Sequence, residues 1–472
     1  MDIFEYSEQA RNGSISIVER TRKFIEEAER KNSEFNFFNL IDEAAAIRQA
    51  TELEKKAKAG KGKGKLFGVP VSVKDCICVK GMESTASSRI LKGYIPLFDA
   101  TVVEKARQEG AIIVGKTVQD EFGFGTFSTN VGNGKIPLNP FDKKRSCGGS
   151  SGGSAGITSS ISMPHVSLAE STGGSIAAPA SFCGVAGITP TYGKVSRNGL
   201  IDYANSLDKI GAMGKTVKEA AFLLEVISGK DEKDSTSLDS ENGIVPQKFS
   251  LARKKIGVVR EFFGSGIDKN VATIVRKKIS EMEKEGAKIE EISLPLNAEY
   301  GLSVYYLIAV SEASTNLARY SGMRYGASAE LKGTFDEYFS KVRTENFGKE
   351  AKRRILLGTF ARMSGFRDAY YLRAMKARTL LINEYKKAFK KFDVLVHPSM
   401  PIAAPEFSEI EKLSPLQNYA MDLCTVPANL GGFPHISLNA GFTGKMPVGI
   451  MFTSDHLQEK TMLEIAAGAE NL

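Results

Sequence analysis

Between Cys147 and Gly193 the chain is written largely in glycine, serine and alanine: CGGSSGGSAG, then STGGSIAAPASFCGVAG, then TPTYG. Glycine this dense costs backbone entropy, and a folded chain keeps it where φ is positive or where the backbone passes very close to another group. A stretch that can be neither one long helix nor ordinary strands must therefore be a set of tight turns inside a larger framework. Two serines, Ser150 and Ser175, sit in such turns.

The framework alternates helix and strand. Ser16 and Glu19 have capping-box spacing, with Ile17, Thr21, Phe24 and Ala28 on one face of the helix that follows. A second helix from about Asp42 aligns Ala46, Ala50, Leu53 and Ala57 and ends near Gly60. Val69, Val71 and Val73 alternate with polar or special residues, the period of a strand, which puts Lys74 on the opposite face at a buried tip. Asp99 is positioned to cap TVVEKARQEG, and AIIVG (Ala111 to Gly115) reads as a strand buried on both faces. Helix, glycine and strand recur over Lys277 to Leu296. Long helices are expected around Val304 to Tyr320, Phe335 to Phe347 and Arg354 to Phe392, and short strands at DVLVHP, HISLNAG and VGIMFT. With no repeat and no linker, the expectation is one large α/β unit.

Several functions are excluded at this level. The net charge of +8 suggests nucleic acid, but six lysines between Lys55 and Lys65 supply most of it, in a glycine-rich run without aromatic stacking platforms. Five scattered cysteines (Cys76, Cys78, Cys147, Cys183, Cys424) contain no CxxC pair and only four histidines accompany them, so buried thiols in a reducing compartment are expected, with no metal. No apolar run approaches the ~18 residues of a membrane span, and the N-terminus lacks signal-peptide order, which reads as a soluble, cytoplasmic chain. Gly110 to Thr117, GAIIVGKT, matches the P-loop expression letter for letter. Its intervening residues are strand formers and a helix precedes them, the reverse of a phosphate loop. Lys116 and Thr117 are accordingly expected to open a loop.

Chemistry is expected at the second glycine turn. Thr172, Gly173, Gly174 and Ser175 precede a helix start, so successive backbone N–H groups there point into one concavity, the geometry of an oxyanion hole. A serine hydroxyl in such a place is a nucleophile only beside a base. His165, His397, His435 and His456 lie in apolar or strand contexts, whereas Lys74 at a buried strand tip serves once its amine is neutral.

VPVSVKD (Val69 to Asp75), CGGSSGGSAG (Cys147 to Gly156), TGGSIAAPASFCGVAGITPTYGKVSRNGL (Thr172 to Leu200) and TVPANLGGFPHISLNAG (Thr425 to Gly441) together resemble the amidase signature family, in its order and approximate spacing over nearly the whole chain. The resemblance implies a large mixed β-sheet covered by helices on both faces. It implies one domain over 1–472, with N-terminal helices (1–65), the signature core (66–217) and a part completing sheet and substrate pocket (218–472). It also implies a Ser-cisSer-Lys triad with Ser175 as nucleophile, Ser150 as proton relay and Lys74 as base, and Thr172, Gly173 and Gly174 forming the oxyanion hole. Counting back from Ser175 points instead to Ser151; counting within GGSSGG gives Ser150, the extra residue being absorbed around Ser162 to Pro164. The family usually carries Asp four residues before the nucleophile and Arg two after; here Ser171 and Ala177 stand there, as though a structural ion pair had been replaced as a unit.

PTYGKVSRNGL with Asn205 to Val217, Tyr305 to Gly326 and Arg353 to Thr379 narrow the resemblance to the branch serving tRNA-dependent amidation, in which these stretches and Tyr419 to Pro427 hold glutamine. That branch implies a glutaminase in a heterotrimer with partner subunits B and C, in which glutamine supplies ammonia and ATP and Mg act on a partner that handles misacylated Glu-tRNA(Gln) or Asp-tRNA(Asn). It implies that Tyr306, Arg354 and Asp422 hold glutamine, with Tyr305 and Arg353 as near competitors. A stand-alone amide hydrolase is the alternative.

Overall fold

The computed structural model describes residues 1–132, 134–239, 243–247 and 249–472. Its strands are β1 (Phe38–Ile41), β2 (Pro70–Lys74), β3 (Ile112–Thr117), β4 (Val166–Ser171), β5 (Ala186–Thr189), β6 (Lys209–Gly214), β7 (Lys255–Val259), β8 (Lys288–Ile292), β9 (Val394–Pro398), β10 (His435–Thr443) and β11 (Met446–Thr453). They form one 11-stranded sheet in the order β1-β3-β2-β4-β6-β5-β10-β11-β9-β7-β8. β3, β2 and β4 are parallel, as are β9, β7 and β8, while the remaining neighbours are antiparallel. This is the mixed α/β architecture expected.

Side-chain alternation divides the apolar residues between two faces. Val71, Val73, Ile113, Leu168 and Ala212 join one core with the helices Thr101–Gln108, Val217–Ile227 and Glu459–Glu470. Ile112, Val114, Ala169 and Met213 join another under the helices Ile17–Phe35 and Glu43–Lys58. Both faces are thus covered, as a sheet with parallel segments requires. The buried stripes of the two N-terminal helices are those read from periodicity, Ile17, Thr21, Phe24 and Ala28 on the first and Ala46, Ala50, Leu53 and Ala57 on the second.

Every residue of β2 is buried, including Lys74 at its tip as expected, and Ser72 bonds Ser167 across to β4 at 2.7 Å. Three local expectations are corrected. Lys116 and Thr117 end β3 rather than open a loop. The Lys116 amine is spent on the Asp75 and Ile77 carbonyls and Ser84 Oγ, with the Asp75 carboxylate at 3.7 Å, so it anchors the turn after β2 and has no phosphate-loop geometry. Asp99 does not cap its helix; it accepts from Lys80 N (2.7 Å) and pairs with Arg107 (3.0 Å). The helix expected over Arg354 to Phe392 is two, Lys349–Arg362 and Arg373–Phe389, because Gly365 takes φ +86 and a π-turn follows at Asp368–Leu372. Among the described residues no helix is long and apolar enough to cross a membrane.

Candidate active site

β2 and β4 are parallel neighbours, with Val73 opposite Leu168, so Lys74 and Ser171 emerge on the same edge of the sheet. Antiparallel β6 begins there, Lys209 opposite Ser171. Crevices beyond the carboxyl ends of strands are where α/β sheets hold ligands, and both glycine turns converge on this one.

Lys74 is completely buried. Its Nζ donates to Ser150 Oγ (2.8 Å), to the Glu170 carbonyl (2.9 Å) and to Glu170 Oε2 (2.8 Å). The neighbouring Ser151 hydroxyl goes elsewhere, to the Glu170 carbonyl at 3.1 Å, while Ser151 N donates to the Ser175 carbonyl at 3.2 Å and ties the two glycine turns together. The peptide bond before Ser150 is cis. Glycine at 149 is obligatory, since a Cβ there would run into the Asp120 carboxylate and the Phe127 and Ser128 amides. Ser175 is buried, with 6% of its surface exposed.

The turn from Thr172 to Ser175 is packed as tightly. A Cβ on Gly173 would strike the Tyr305 ring and hydroxyl, and one on Gly174 the Thr425 side chain. Tyr305, a competitor for the substrate role by sequence, thus backs the turn. Gly173→Ala is expected to lower the turnover number about 100-fold, the cost of displacing one oxyanion donor, and to lower the melting temperature as well, since the buried Tyr305 must give way; steady-state kinetics on the reaction proposed below would check it.

None of the histidines reaches either serine. His165 bonds Ser72, His397 the Pro398 carbonyl, His435 Asn429 and the Phe433 carbonyl, and His456 the Gly431 carbonyl. Burial holds His165 and His435 down to about 3 and His397 to about 4. They are neutral core residues. All five cysteines are buried and free. No group of three His, Cys, Asp or Glu among the described residues is placed to hold a metal ion.

Ser171 and Ala177 have compatible surroundings. Ser171 donates to Asn429 Oδ1 at 3.2 Å, and Ala177 packs with Ala428 and Met451. A neutral hydrogen bond and an apolar contact therefore fill these two positions, with no charge left unpaired at either. Lys209 beside Ser171 donates to the Leu207 and Asn429 carbonyls; burial, then Arg378, pulls it down to about 7.

A polar cluster lies on the cleft's outer side. Tyr306 donates to Asp422 Oδ2 at 2.7 Å and Thr126 to Oδ1 at 2.9 Å, and burial raises the Asp422 carboxyl above its usual range. Arg354 is buried, its guanidinium 5.0 Å from the Phe124 ring and 5.4 Å from the rings of Tyr203, Tyr306 and Tyr419. Its Nε donates to Glu350 Oε1 at 2.8 Å and its Nη1 to the Tyr203 hydroxyl. Arg353 is on the surface side, paired with the other Glu350 oxygen. A cavity of about 330 Å³ opens here, lined by Thr126, Phe127, Asn130, Glu350, Arg354 and Tyr419 among others. Thr126 joins the two parts, because its carbonyl accepts from Gly149 N at 2.7 Å.

Sequence reasoning missed Glu170, Thr172's side chain, Asp208 and Glu350. For Glu170 the available signal was a lone acid next to the end of the otherwise uncharged strand VSLAES, close to the second glycine turn.

A sheet of this topology with a buried lysine on a serine in a glycine turn defines an amide-hydrolase class of site. The chain belongs to the amidase family, whose model matches residues 19–463. It is 43% identical over 96% of its length to the A subunit of glutamyl-tRNA(Gln) amidotransferase of Trichodesmium erythraeum, covering 93% of that protein. With the protein of that name from Staphylococcus carnosus it shares 41% identity over 98% of its length and 94% of the relative's. The crystal structure of the Thermotoga maritima protein of the same name superposes on the whole chain and 94% of its own, with a TM-score of 0.80 at 32% identity.

Proposed function

We propose that this chain is the glutaminase subunit of a tRNA-dependent amidotransferase. The observation that carries the reading is the adjacency, through Thr126, of a lysine-bonded serine and a buried Arg–Tyr–Asp cluster suited to a free amino acid. Asp422 receives the α-ammonium. The Nη2 edge of Arg354, left open by Glu350 and Tyr203, takes the α-carboxylate, and the side-chain amide then extends toward Ser175.

Ser175 Oγ attacks the amide carbon as its proton passes to Ser150, whose own proton goes to Lys74. The N–H groups of the Thr172 to Ser175 turn bind the tetrahedral oxygen. Collapse breaks the C–N bond, Lys74 returns a proton through Ser150 to the leaving ammonia, and water hydrolyses the acyl-serine to glutamate. Relatives named as the A subunit of such an enzyme support an assembly with subunits B and C, in the cytoplasm, where a partner uses ATP and Mg to activate the carboxylate of Glu-tRNA(Gln) or Asp-tRNA(Asn) and captures the ammonia. The chain itself needs no cofactor for hydrolysis.

Arg354→Lys removes the planar fork but keeps the charge. It is expected to raise the KM for glutamine by roughly 100-fold, the worth of one charge-assisted contact of about 2–3 kcal/mol, with a much smaller loss in kcat. An unchanged KM would remove Arg354 from the binding site. A purified chain that hydrolyses simple aryl amides, forms no complex with subunits B and C and ignores glutamine would overturn the assignment in favour of a stand-alone hydrolase.

A further inference from the structure

Glu170 is the group nearest the triad that the proposed reaction leaves unused. It presents two acceptors to Lys74 Nζ, its own carbonyl at 2.9 Å and Oε2 at 2.8 Å, and Ser150 Oγ is the third at 2.8 Å. Three acceptors match the three N–H bonds of an ammonium. When Nζ loses one proton, the carbonyl and the carboxylate oxygens can only accept, so they retain the two remaining N–H bonds. The lone pair is then left facing Ser150, whose hydroxyl alone among the three partners can reverse and donate.

The carboxylate of Glu170 is held from behind. Thr172 Oγ1 lies 2.9 Å from Glu170 Oε1 and 2.8 Å from Asp208 Oδ1. A hydroxyl owns one hydrogen, so one of these two contacts needs a proton from a carboxyl group. Asp208 supplies it: burial, then the charge of Glu170, holds its carboxyl well above the ordinary range, and its other oxygen accepts from Tyr203 N and Ala204 N at 2.9 Å. The line therefore runs Asp208 O–H to Thr172 Oγ1, Thr172 O–H to Glu170 Oε1, and Glu170 Oε2 to the Lys74 ammonium.

Resting on the amide-hydrolase reading above, we propose that Glu170 is a positioning residue: backed by Thr172 and Asp208, it sets a carboxylate against the Lys74 amine and aims that amine at Ser150. The other titratable groups whose charges act on this pair are Cys76 just beyond β2, Asp120 after β3 and Lys209 at the start of β6. Burial keeps the Cys76 thiol neutral, raises Asp120 to about 6 and, with Arg378, lowers Lys209 to about 7. The charge of Glu170 also acts on Lys209, so a displacement of the limb reports on Lys74 when it persists in a Lys209→Met background.

The test is the rate of labelling of Ser175 by a fluorophosphonate probe as a function of pH, which needs neither glutamine nor partner subunits. Wild-type labelling is expected to rise along an alkaline limb. In Glu170→Gln, which keeps an acceptor and removes the charge, that limb should move down by roughly one pH unit or more, since one unit corresponds to 1.36 kcal/mol of differential interaction. Glu170→Ser carries the same expectation should the glutamine variant fail to fold. Asp208→Asn offers the donor and acceptor of a protonated acid and should leave the position of the limb in place. A limb unmoved in a folded Glu170 variant overturns the proposal, as does a limb displaced by Asp208→Asn. Neither result touches the glutamine assignment, which falls instead if a chain that still labels does not hydrolyse glutamine.

Discussion

Ser175→Ala is expected to abolish glutamine hydrolysis, lowering kcat by four orders of magnitude or more, as removal of a nucleophile does in other serine hydrolases. The change deletes one oxygen from a side chain with 6% exposure and touches no ion pair, so the fold and the docking of partner subunits should survive. The decisive assay is transamidation by the reconstituted complex. With glutamine as nitrogen donor the variant should be silent, and with ammonium salts it should amidate misacylated tRNA at the wild-type rate. Glutamine-driven transamidation retained in Ser175→Ala would sink the assignment of the nucleophile. Failure with ammonia as well would show that the residue matters for assembly, a role its position beneath the oxyanion turn gives no reason to expect.

How far the site was legible follows from what each residue depends on. The glycine turns were visible because positive φ and close backbone approach leave a compositional mark. Gly149 against Asp120 and Gly173 against Tyr305 are the contacts behind that mark. Lys74 was singled out because the four histidines sit in apolar surroundings. The helices were legible in stripes that repeat every three to four residues, and the burial of Lys74 in its place at the tip of the valine strand, but the partners that satisfy it there were not. Ser72 and Lys74 are buried because Ser167, Ser150 and Glu170 satisfy them, and those partners lie about 76 to 96 residues away. Glu170 is hidden for the same reason: its place in β4 acquires meaning only once β2 and β4 are parallel neighbours. The break at Gly365 was passed over because a single glycine is tolerated within a helix, and only the fold shows it at φ +86.

The ion pair between Lys74 and Glu170, both almost wholly buried at 2.8 Å, gives the largest expected effect on stability. Lys74→Met should abolish activity, since Ser150 then has no acceptor for its proton. It should also leave a carboxylate in the interior with only Thr172 as its side-chain donor, a loss of about 3–5 kcal/mol by the usual cost of breaking one half of a buried pair. Glu170→Gln alone strands an ammonium that keeps its two oxygen acceptors from residue 170 and Ser150, so its cost should be smaller. Combining the two removes both charges, and the double variant should melt well above Lys74→Met and close to Glu170→Gln, a departure from additivity in the sense expected of directly paired groups. Melting temperatures of the four proteins at one pH and salt concentration measure this. If the double variant melts as low as the sum of the two single shifts requires, the groups are not coupled, and the charge on Glu170 has no part in holding the lysine. If it recovers its stability and still shows no hydrolysis, the buried charge and the catalytic amine are separable: stability then belongs to the pair, and activity to the one nitrogen that faces Ser150.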